Sequence, residues 1–148
     1  MLAAVNPVSR KLMTLIAVLA LTGVFVSSVS LQHHYAKSKT EYCDIGDSFN
    51  CDIVNRSAYS SVGPIPVALI GILGYAALAA LATFGRGRND APRLLLGGAT
   101  AGLAFALYLT YVEARILGVW CILCLSSLAL MAGITLAAVL IWFRERTA

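Results

Sequence analysis

Charged side chains are scarce in this sequence of 148 residues. Asp, Glu, Lys and Arg make up 12% of the chain, about half of their share in an ordinary soluble domain, whereas hydrophobic residues make up 59%. A soluble domain of this size leaves much of its chain at the surface and has no means of burying so many apolar side chains. The same composition excludes intrinsic disorder, which needs abundant charge and few apolar residues. The sequence therefore predicts a protein whose solvent is mostly lipid.

Basic residues are also sparse, and they are not clustered. The 11 Lys and Arg residues exceed the 7 Asp and Glu residues, so the formal net charge is +4. Nucleic-acid binding requires basic residues collected into a patch or a stripe. Here the basic residues are separated by long uncharged stretches. We therefore do not expect nucleic acid as a partner.

Four stretches contain no Asp, Glu, Lys or Arg and are long enough to cross a bilayer, which takes about 20 residues of helix. Apolar runs without alternation indicate helices rather than the strands of a membrane barrel. We expect an all-α integral membrane protein with a single domain over 1–148. Its architecture is predicted to be a four-transmembrane-helix bundle with an outer loop cap at about 32–64. The predicted helices span about 12–31, 65–84, 94–112 and 118–143.

The positions of Lys and Arg predict the orientation, because cytoplasmic segments carry the excess of basic residues. With both termini in the cytoplasm, the inner segments hold more basic residues than the outer segments. The inner residues are Arg10, Lys11, Arg86, Arg88, Arg93, Arg144 and Arg146, and the outer residues are Lys37, Lys39, Arg56 and Arg115. A cleaved signal peptide is the alternative for the first helix. Its apolar stretch exceeds the usual 7–15 or so residues, so we expect a retained helix.

The 4 cysteines all fall on the outer side in this orientation, where disulfides form and persist. Cys121 and Cys124 form a C-x-x-C motif at the start of the fourth predicted helix, where the helix dipole and free N–H groups favour a thiolate. Residues three apart share a helix face, so their sulfur atoms can approach each other. Cys43 and Cys51 lie in the outer loop and enclose turn-forming residues. A loop pair facing an embedded pair suggests a relay by thiol–disulfide exchange.

Other interpretations of the cysteines stay open. Cys121 and Cys124 can be small buried hydrophobic residues. The loop pair can be a structural staple in a non-catalytic membrane protein. The cysteines, with His33 and His34, can also form a tetrahedral metal site. However, the Ile-Leu spacer of the C-x-x-C motif supplies no polar groups to support a metal, so we expect no metal centre.

The ordered set of cysteine motifs resembles the vitamin K epoxide reductase (VKOR) family, in particular its bacterial-type members without a fused thioredoxin-like domain. Helix number and order agree with that family over nearly the whole chain. The resemblance rests on Cys43-Asp-Ile-Gly46, the gap of seven residues to Cys51, the positions of Val54 and Ser57, and the Cys121-Ile-Leu-Cys124 pair.

The resemblance implies a bundle around a quinone site and an enzyme, a quinone-linked disulfide oxidoreductase that supports disulfide bond formation. Cys43 would receive electrons from a reduced thioredoxin-like protein, and Cys51 would pass them to Cys121. Cys124 would face the quinone and form a disulfide with Cys121. Ser57 matches a family hydroxyl position linked to activity, and it can equally cap the second helix.

The quinone implied by the resemblance is ubiquinone, menaquinone or phylloquinone. Tyr75, Tyr108 and Tyr111 are candidate hydrogen-bond donors to it, or else interface and packing residues. Glu113 and Arg115 lie in the short outer turn, where we expect solvated side chains. The alternative for Glu113 is a proton relay beside the cysteines.

Two departures from vertebrate relatives weaken an assignment as a vitamin K epoxide or quinone reductase. Leu128 stands where some of those relatives have a tyrosine, and the segment Gly63-Pro-Ile-Pro66 has no clear equivalent of their asparagine. The Ala-, Gly- and Leu-rich composition resembles bacterial members, which oxidise proteins. We therefore expect a location in the bacterial inner membrane, with lipid, quinone and a thioredoxin-like oxidant protein as partners.

Overall fold

The structure is a computed structural model that describes residues 6–35 and 43–147, without the side chains at positions 44 and 45. Two basic residues of the predicted outer segment, Lys37 and Lys39, lie outside the described residues. The elements in chain order are α1 (Pro7–Tyr35), β1 (Asp44–Ile45), β2 (Phe49–Asn50), α2 (Cys51–Asn55), β3 (Ser61–Val62), β4 (Ile65–Pro66), α3 (Val67–Phe84), α4 (Ala91–Val112) and α5 (Ile122–Thr147).

Helices α1, α3, α4 and α5 are long and apolar enough to span a membrane. The predicted all-α membrane bundle is therefore confirmed, with all four helices in the expected order. Helix α1 starts earlier than predicted, at Pro7, because proline suits the first helical position. The Asn6 side chain also accepts a hydrogen bond from the Val8 N–H at 3.1 Å.

The bundle core consists mainly of aliphatic and small side chains. Helix α1 packs against α3 and α5, and α4 packs against α5. Small residues at these contacts allow the close approach on which helix association in lipid depends, because lipid supplies no hydrophobic driving force between helices. Fully buried members of the core include Ile16, Ala20, Ala82, Leu95, Ala99, Ile134 and Ile141.

Basic side chains gather at one end of the bundle. Arg86, just after α3, donates a hydrogen bond from Nη2 to Thr14 Oγ1 of α1 at 3.1 Å. On the α4–α5 side, the guanidinium groups of Arg93 and Arg146 lie 5.8 and 4.3 Å from the centre of the Trp142 ring, within cation–π range. The cysteines lie at the opposite end, where α1 ends and α5 begins.

The described residues before α3, 43–66, fold into a cap over the cysteine end. Strands β1 and β2 pair antiparallel, and β3 and β4 form a second antiparallel hairpin. Helix α2 begins directly after β2, and the Asn50 side chain caps it by accepting the Ile53 N–H at 3.1 Å. The predicted loop therefore contains regular structure. Helix α1 runs to Tyr35, and the cap continues to Pro66.

Candidate redox site

The cap carries a disulfide bond between Cys43 and Cys51, whose Cα atoms are 5.6 Å apart. Cys43 lies at the start of the β1–β2 hairpin, and Cys51 is the first residue of α2. Both side chains are buried. The hairpin thus returns the chain to the point at which the two cysteines can be joined.

The Cys121 thiol lies against this disulfide, with its Sγ 3.3 Å from Cys51 Sγ. Backbone hydrogen bonds position the two residues. Asn50 N–H donates to the Trp120 carbonyl at 3.0 Å, and Trp120 N–H donates to the Ser48 carbonyl at 2.8 Å. Asn50 precedes Cys51 and Trp120 precedes Cys121, so the residues before the two cysteines are hydrogen-bonded directly to each other. A thiol in contact with a disulfide sulfur has the arrangement that thiol–disulfide exchange requires.

Cys121 and Cys124 are free thiols at the start of α5. Cys121 precedes the helix rather than lying within it, and its carbonyl accepts the first helical hydrogen bond, from Leu125 N–H at 3.0 Å. A hydrogen bond with the Cys124 thiol lowers the pKa of Cys121, outweighing the opposite effect of burial. The thiol that contacts the disulfide therefore has a pKa below the ordinary cysteine value.

Asn55 connects the cap, α1 and the reactive thiol. Its Nδ2 donates to the Cys51 carbonyl at 2.9 Å and lies 3.9 Å from Cys121 Sγ. Its Oδ1 accepts a hydrogen bond from Ser30 of α1 at 2.6 Å. The Asn55 carbonyl is also 2.6 Å from Nδ1 of His34. Each polar atom of this buried side chain has a partner, so Asn55 holds the end of α2 in one position.

Glu113 is buried, not solvated as predicted from its position in a short turn. Only 1% of its surface is exposed. The turn is a continuation of α4 as a π-helix from Glu113 to Leu117, which keeps the side chain inside the bundle. Its Oε2 accepts a hydrogen bond from Cys121 N–H at 3.0 Å. The sequence signal was a carboxyl group at the edge of a long apolar run, close in sequence to the C-x-x-C motif.

A cavity of about 350 Å³ extends from the cysteines into the bundle. Its volume lies within the range typical of small-molecule sites, and its walls are mostly apolar with a few polar groups. Cys124, Ser57, His34 and Ser127 are among the residues that line it. A flat, apolar ring with two carbonyl oxygens suits such a space, so the residues present fit a quinone. The small residues that leave this space open include Gly71, Gly74, Gly98 and Gly102.

The structure brings one of the three candidate tyrosines to this cavity. Tyr75 is buried in its wall, but its hydroxyl group is 2.8 Å from the Ser127 carbonyl and 2.7 Å from Ser127 Oγ. Its single hydrogen is therefore used between α3 and α5. Tyr108 and Tyr111 lie on another face of α4, where 52% and 58% of their surfaces are exposed, and they are not part of the cavity wall. Their position is that of lipid-facing residues.

Ser57 lines the cavity but does not cap the second spanning helix, so the capping interpretation is wrong. Helix α3 begins at Val67, ten residues further along, and Pro66 precedes it. Ser57 Oγ donates instead to the Val54 carbonyl at 2.8 Å. This bond fixes the hydroxyl group at the end of α2, beside the cavity.

The two histidines have partners other than a metal. His33 Nδ1 lies 3.2 Å from Asp52 Oδ1, and His34 contacts the cap through Asn55. In the part of the chain that the structure describes, no group of three or more His, Cys, Asp or Glu side chains is arranged to hold a metal ion. Both side chains thus serve to attach the cap to α1.

The bundle, the contacting cysteine pairs and the cavity define an integral membrane thiol oxidoreductase. Residues 14–139, most of the chain, match the vitamin K epoxide reductase family. The chain belongs to this family, whose members are oxidoreductases that use quinones.

Proposed function

We propose that the protein is a quinone-dependent thiol oxidoreductase that supports disulfide bond formation. A reduced thioredoxin-like protein passes two electrons to Cys43 and Cys51. Exchange moves them to Cys121 and Cys124, and a membrane quinone accepts them in the cavity. Ubiquinone, menaquinone and phylloquinone are the candidate acceptors. A quinone takes up two electrons and two protons to become a quinol, so it is a sink for the thiol groups of a folding protein.

The 3.3 Å contact between Cys51 Sγ and Cys121 Sγ is the observation that carries this proposal. A disulfide that only stapled the cap would not need a free thiol against it. The contact places a loop disulfide directly beside the membrane pair, and inward electron transfer by exchange requires this proximity. The exchange is balanced, because a loop dithiol and a membrane disulfide become a loop disulfide and a membrane dithiol.

The chain itself supplies the placement of the acceptor. Cys124 and Ser57 face the cavity together, so a quinone bound there has the final thiol beside it. Asn55 and Glu113 hold the backbone on either side of the reacting sulfurs. The protein therefore contributes position and thiol activation, while the two-electron chemistry belongs to the quinone.

The orientation belongs to the same proposal. The basic end of the bundle faces the cytoplasm, together with both termini, and the cap faces the periplasm of a bacterial inner membrane. The separation of basic side chains from cysteines supports this arrangement. Disulfides persist on the outer side, and protein thiols that need oxidation are found there.

Trapping of the intermediate disulfide tests the relay. In Cys43→Ala, Cys51 has lost its partner, and we expect it to form a disulfide with Cys121 that gel mobility and mass spectrometry detect. Cys43→Ala/Cys121→Ser is the matched control, and it should show no such bond. Absence of the Cys51–Cys121 bond after oxidation of the single variant would leave the cap disulfide as a staple. In a second measurement, Cys124→Ser should abolish quinol formation with a reduced thioredoxin-like protein.

A further inference from the structure

Glu113 occupies a position that its hydrogen bond alone does not explain. The side chain is 1% exposed and lines the cavity that also contains Cys124. Its Oε2 accepts the Cys121 N–H, but its Oε1 is buried without a conventional hydrogen-bond partner. The Cys124 thiol is a direct neighbour of this carboxyl group. An amide or hydroxyl oxygen would accept the same N–H without the cost of burying an ionisable group.

In the part of the chain that the structure describes, no basic side chain pairs with this carboxyl group. Among the described residues, Lys and Arg are absent from the cavity wall, and the two ion pairs are His33–Asp52 and Arg88–Asp90, neither of which involves Glu113. An ionisable group at membrane depth is by default a candidate for function, and proton relays are among the roles that such groups serve. The sulfur atom beside it is one that must gain and lose a proton.

We propose that Glu113 is the proton donor and acceptor for the Cys124 sulfur, an assignment that rests on the proposed relay. When the Cys51 thiolate attacks Cys121 in the Cys121–Cys124 disulfide, the Cys51–Cys121 bond forms and the Cys121–Cys124 bond breaks. The electron pair of the broken bond goes to Cys124, and the Glu113 carboxylic acid gives its proton to that sulfur. The step is balanced in protons, because Cys51 releases one proton as it becomes a thiolate and Glu113 takes up one proton when it is protonated again.

The same carboxyl group serves in the opposite direction. When Cys124 later gives up electrons, the Glu113 carboxylate takes the thiol proton. Proton transfer by a positioned side chain requires that the two groups lie together and that one of them can hold the proton. Glu113 and Cys124 line the same cavity, and Oε1 of Glu113 has no other partner. The other titratable groups on this cavity wall are His34 from α1, Tyr59 from the cap and Tyr75 from α3.

A single exchange step, without quinone, tests the assignment. Cys43→Ala protein is oxidised with diamide to the Cys121–Cys124 disulfide at acidic pH, which keeps Cys51 protonated, and is then transferred to a series of higher pH values. One thiol is free before the step, on Cys51, and one after it, on Cys124, so the exchange is followed by acid quenching, alkylation with a maleimide and mass-spectrometric mapping of the alkylated cysteine. The rate should rise with pH as the Cys51 thiolate forms, and then fall as Glu113 loses its proton, which produces a bell-shaped profile.

Glu113→Gln in this background retains an oxygen for the Cys121 N–H but carries no exchangeable acid. We expect the exchange to slow by about 100-fold and the falling limb of the profile to disappear. Glu113→Asp keeps the falling limb at a reduced rate. Glu145→Gln, a carboxyl group at the far end of α5, is the matched control and should behave as the parent.

Two failures are distinguishable. A wild-type rate and bell-shaped profile in Glu113→Gln, with unchanged thermal stability, would reduce Glu113 to a backbone support and overturn the assignment. If the parent with Glu113 intact never forms the Cys51–Cys121 bond, the relay itself is absent and the proposed function fails.

Discussion

At the scale of single residues, the two membrane cysteines have unequal surroundings although they belong to one motif. Cys121 is fully buried against the cap disulfide, whereas Cys124 is partly exposed to the cavity. The hydrogen bond from the Cys124 thiol lowers the pKa of Cys121. In the proposed relay, the inner thiol thereby prepares the outer thiol for exchange with Cys51. One sulfur of the pair contacts the cap, and the other faces the cavity.

Titration of Cys121 in two variants measures this effect. With the cap disulfide intact, Cys124→Ala and Cys124→Ser each leave Cys121 as the one free thiol, because Cys43 and Cys51 stay bonded to each other. Alanine removes the hydrogen-bond donor, so the thiolate should form at higher pH than in the serine variant, whose hydroxyl group can still donate. Ultraviolet absorbance of the thiolate follows the titration. Identical curves would show that the hydrogen bond does not stabilise the Cys121 thiolate.

Residue identity predicted the cysteines but not the polar groups around them. The cysteine site can be recognised from the sequence, because two cysteine pairs on the side of the membrane where disulfides form indicate disulfide chemistry. The burial of Glu113 depends on a π-helical turn that continues α4, and a charged residue beside an apolar run is ordinarily solvated. Asn55 likewise looked like a loop residue, and only the packing of the cap on α1 reveals its contacts.

At the scale of elements, the start of α5 depends on one glycine. Gly118 has a φ of +68° in the left-handed region and ends the π-helical turn, with its N–H donating to the Glu113 carbonyl at 2.9 Å. This reversal directs Trp120 into pairing with the cap strand. The predicted fourth helix began at 118, and it begins instead at Ile122, because residues 119 and 120 are extended against the cap.

Substitutions of Gly118 test the effect of backbone conformation alone. A Cβ at this position would not crowd a neighbour, because nothing lies within 4 Å of it. Gly118→Ala should destabilise the protein by about 1–2 kcal/mol, the cost of a left-handed residue with a Cβ. It should also slow formation of the Cys51–Cys121 bond in the Cys43→Ala background. Gly118→Asn should cost less, because asparagine tolerates this conformation. Thermal unfolding and trapping rates are the measurements, and equal effects of the two substitutions would contradict the explanation.

The spanning helices could be predicted from the sequence, and the cap elements could not. A run of about 20 apolar residues forms a helix in lipid, because every backbone N–H and C=O group must be hydrogen-bonded within the segment. Strands of two residues, such as β1 and β3, leave no periodic pattern to detect. The β1–β2 hairpin is bonded to Trp120, a tertiary contact that the local sequence does not reveal.

At the scale of the whole molecule, the cavity exists because small residues face one another across the helices. The apolar surface of the bundle is in contact with lipid, while the enclosed space lies between α1, α3, α4 and α5 and ends at the cysteines. Sequence alone showed the small residues but not which of them face inward, since that depends on how each helix is rotated. The cavity is the part of the fold that joins the membrane phase to the thiol chemistry.

A filled cavity should block the acceptor while leaving the fold intact. Gly74 lines the cavity, and a Cβ there would have no atom within 4 Å. Gly74→Leu should reduce kcat/KM for quinone at least about tenfold, equivalent to 1.4 kcal/mol, without lowering thermal stability. The matched control is Gly97→Leu on α4, an equally open helical position outside this cavity. Equal quinone kinetics in the two variants would place the acceptor elsewhere.

The attachment of the cap to the start of α5 uses main-chain atoms, from Asn50 to Trp120 and from Trp120 to Ser48. Every residue has these main-chain groups, so the attachment of the cap does not require particular side chains at the outer surface of the hairpin. Substitutions can therefore alter the outer surface of the hairpin while the distance between the sulfurs is preserved. Under the proposed relay, swapping the exposed hairpin turn between homologues is accordingly a rational route to a new electron donor without moving the sulfurs.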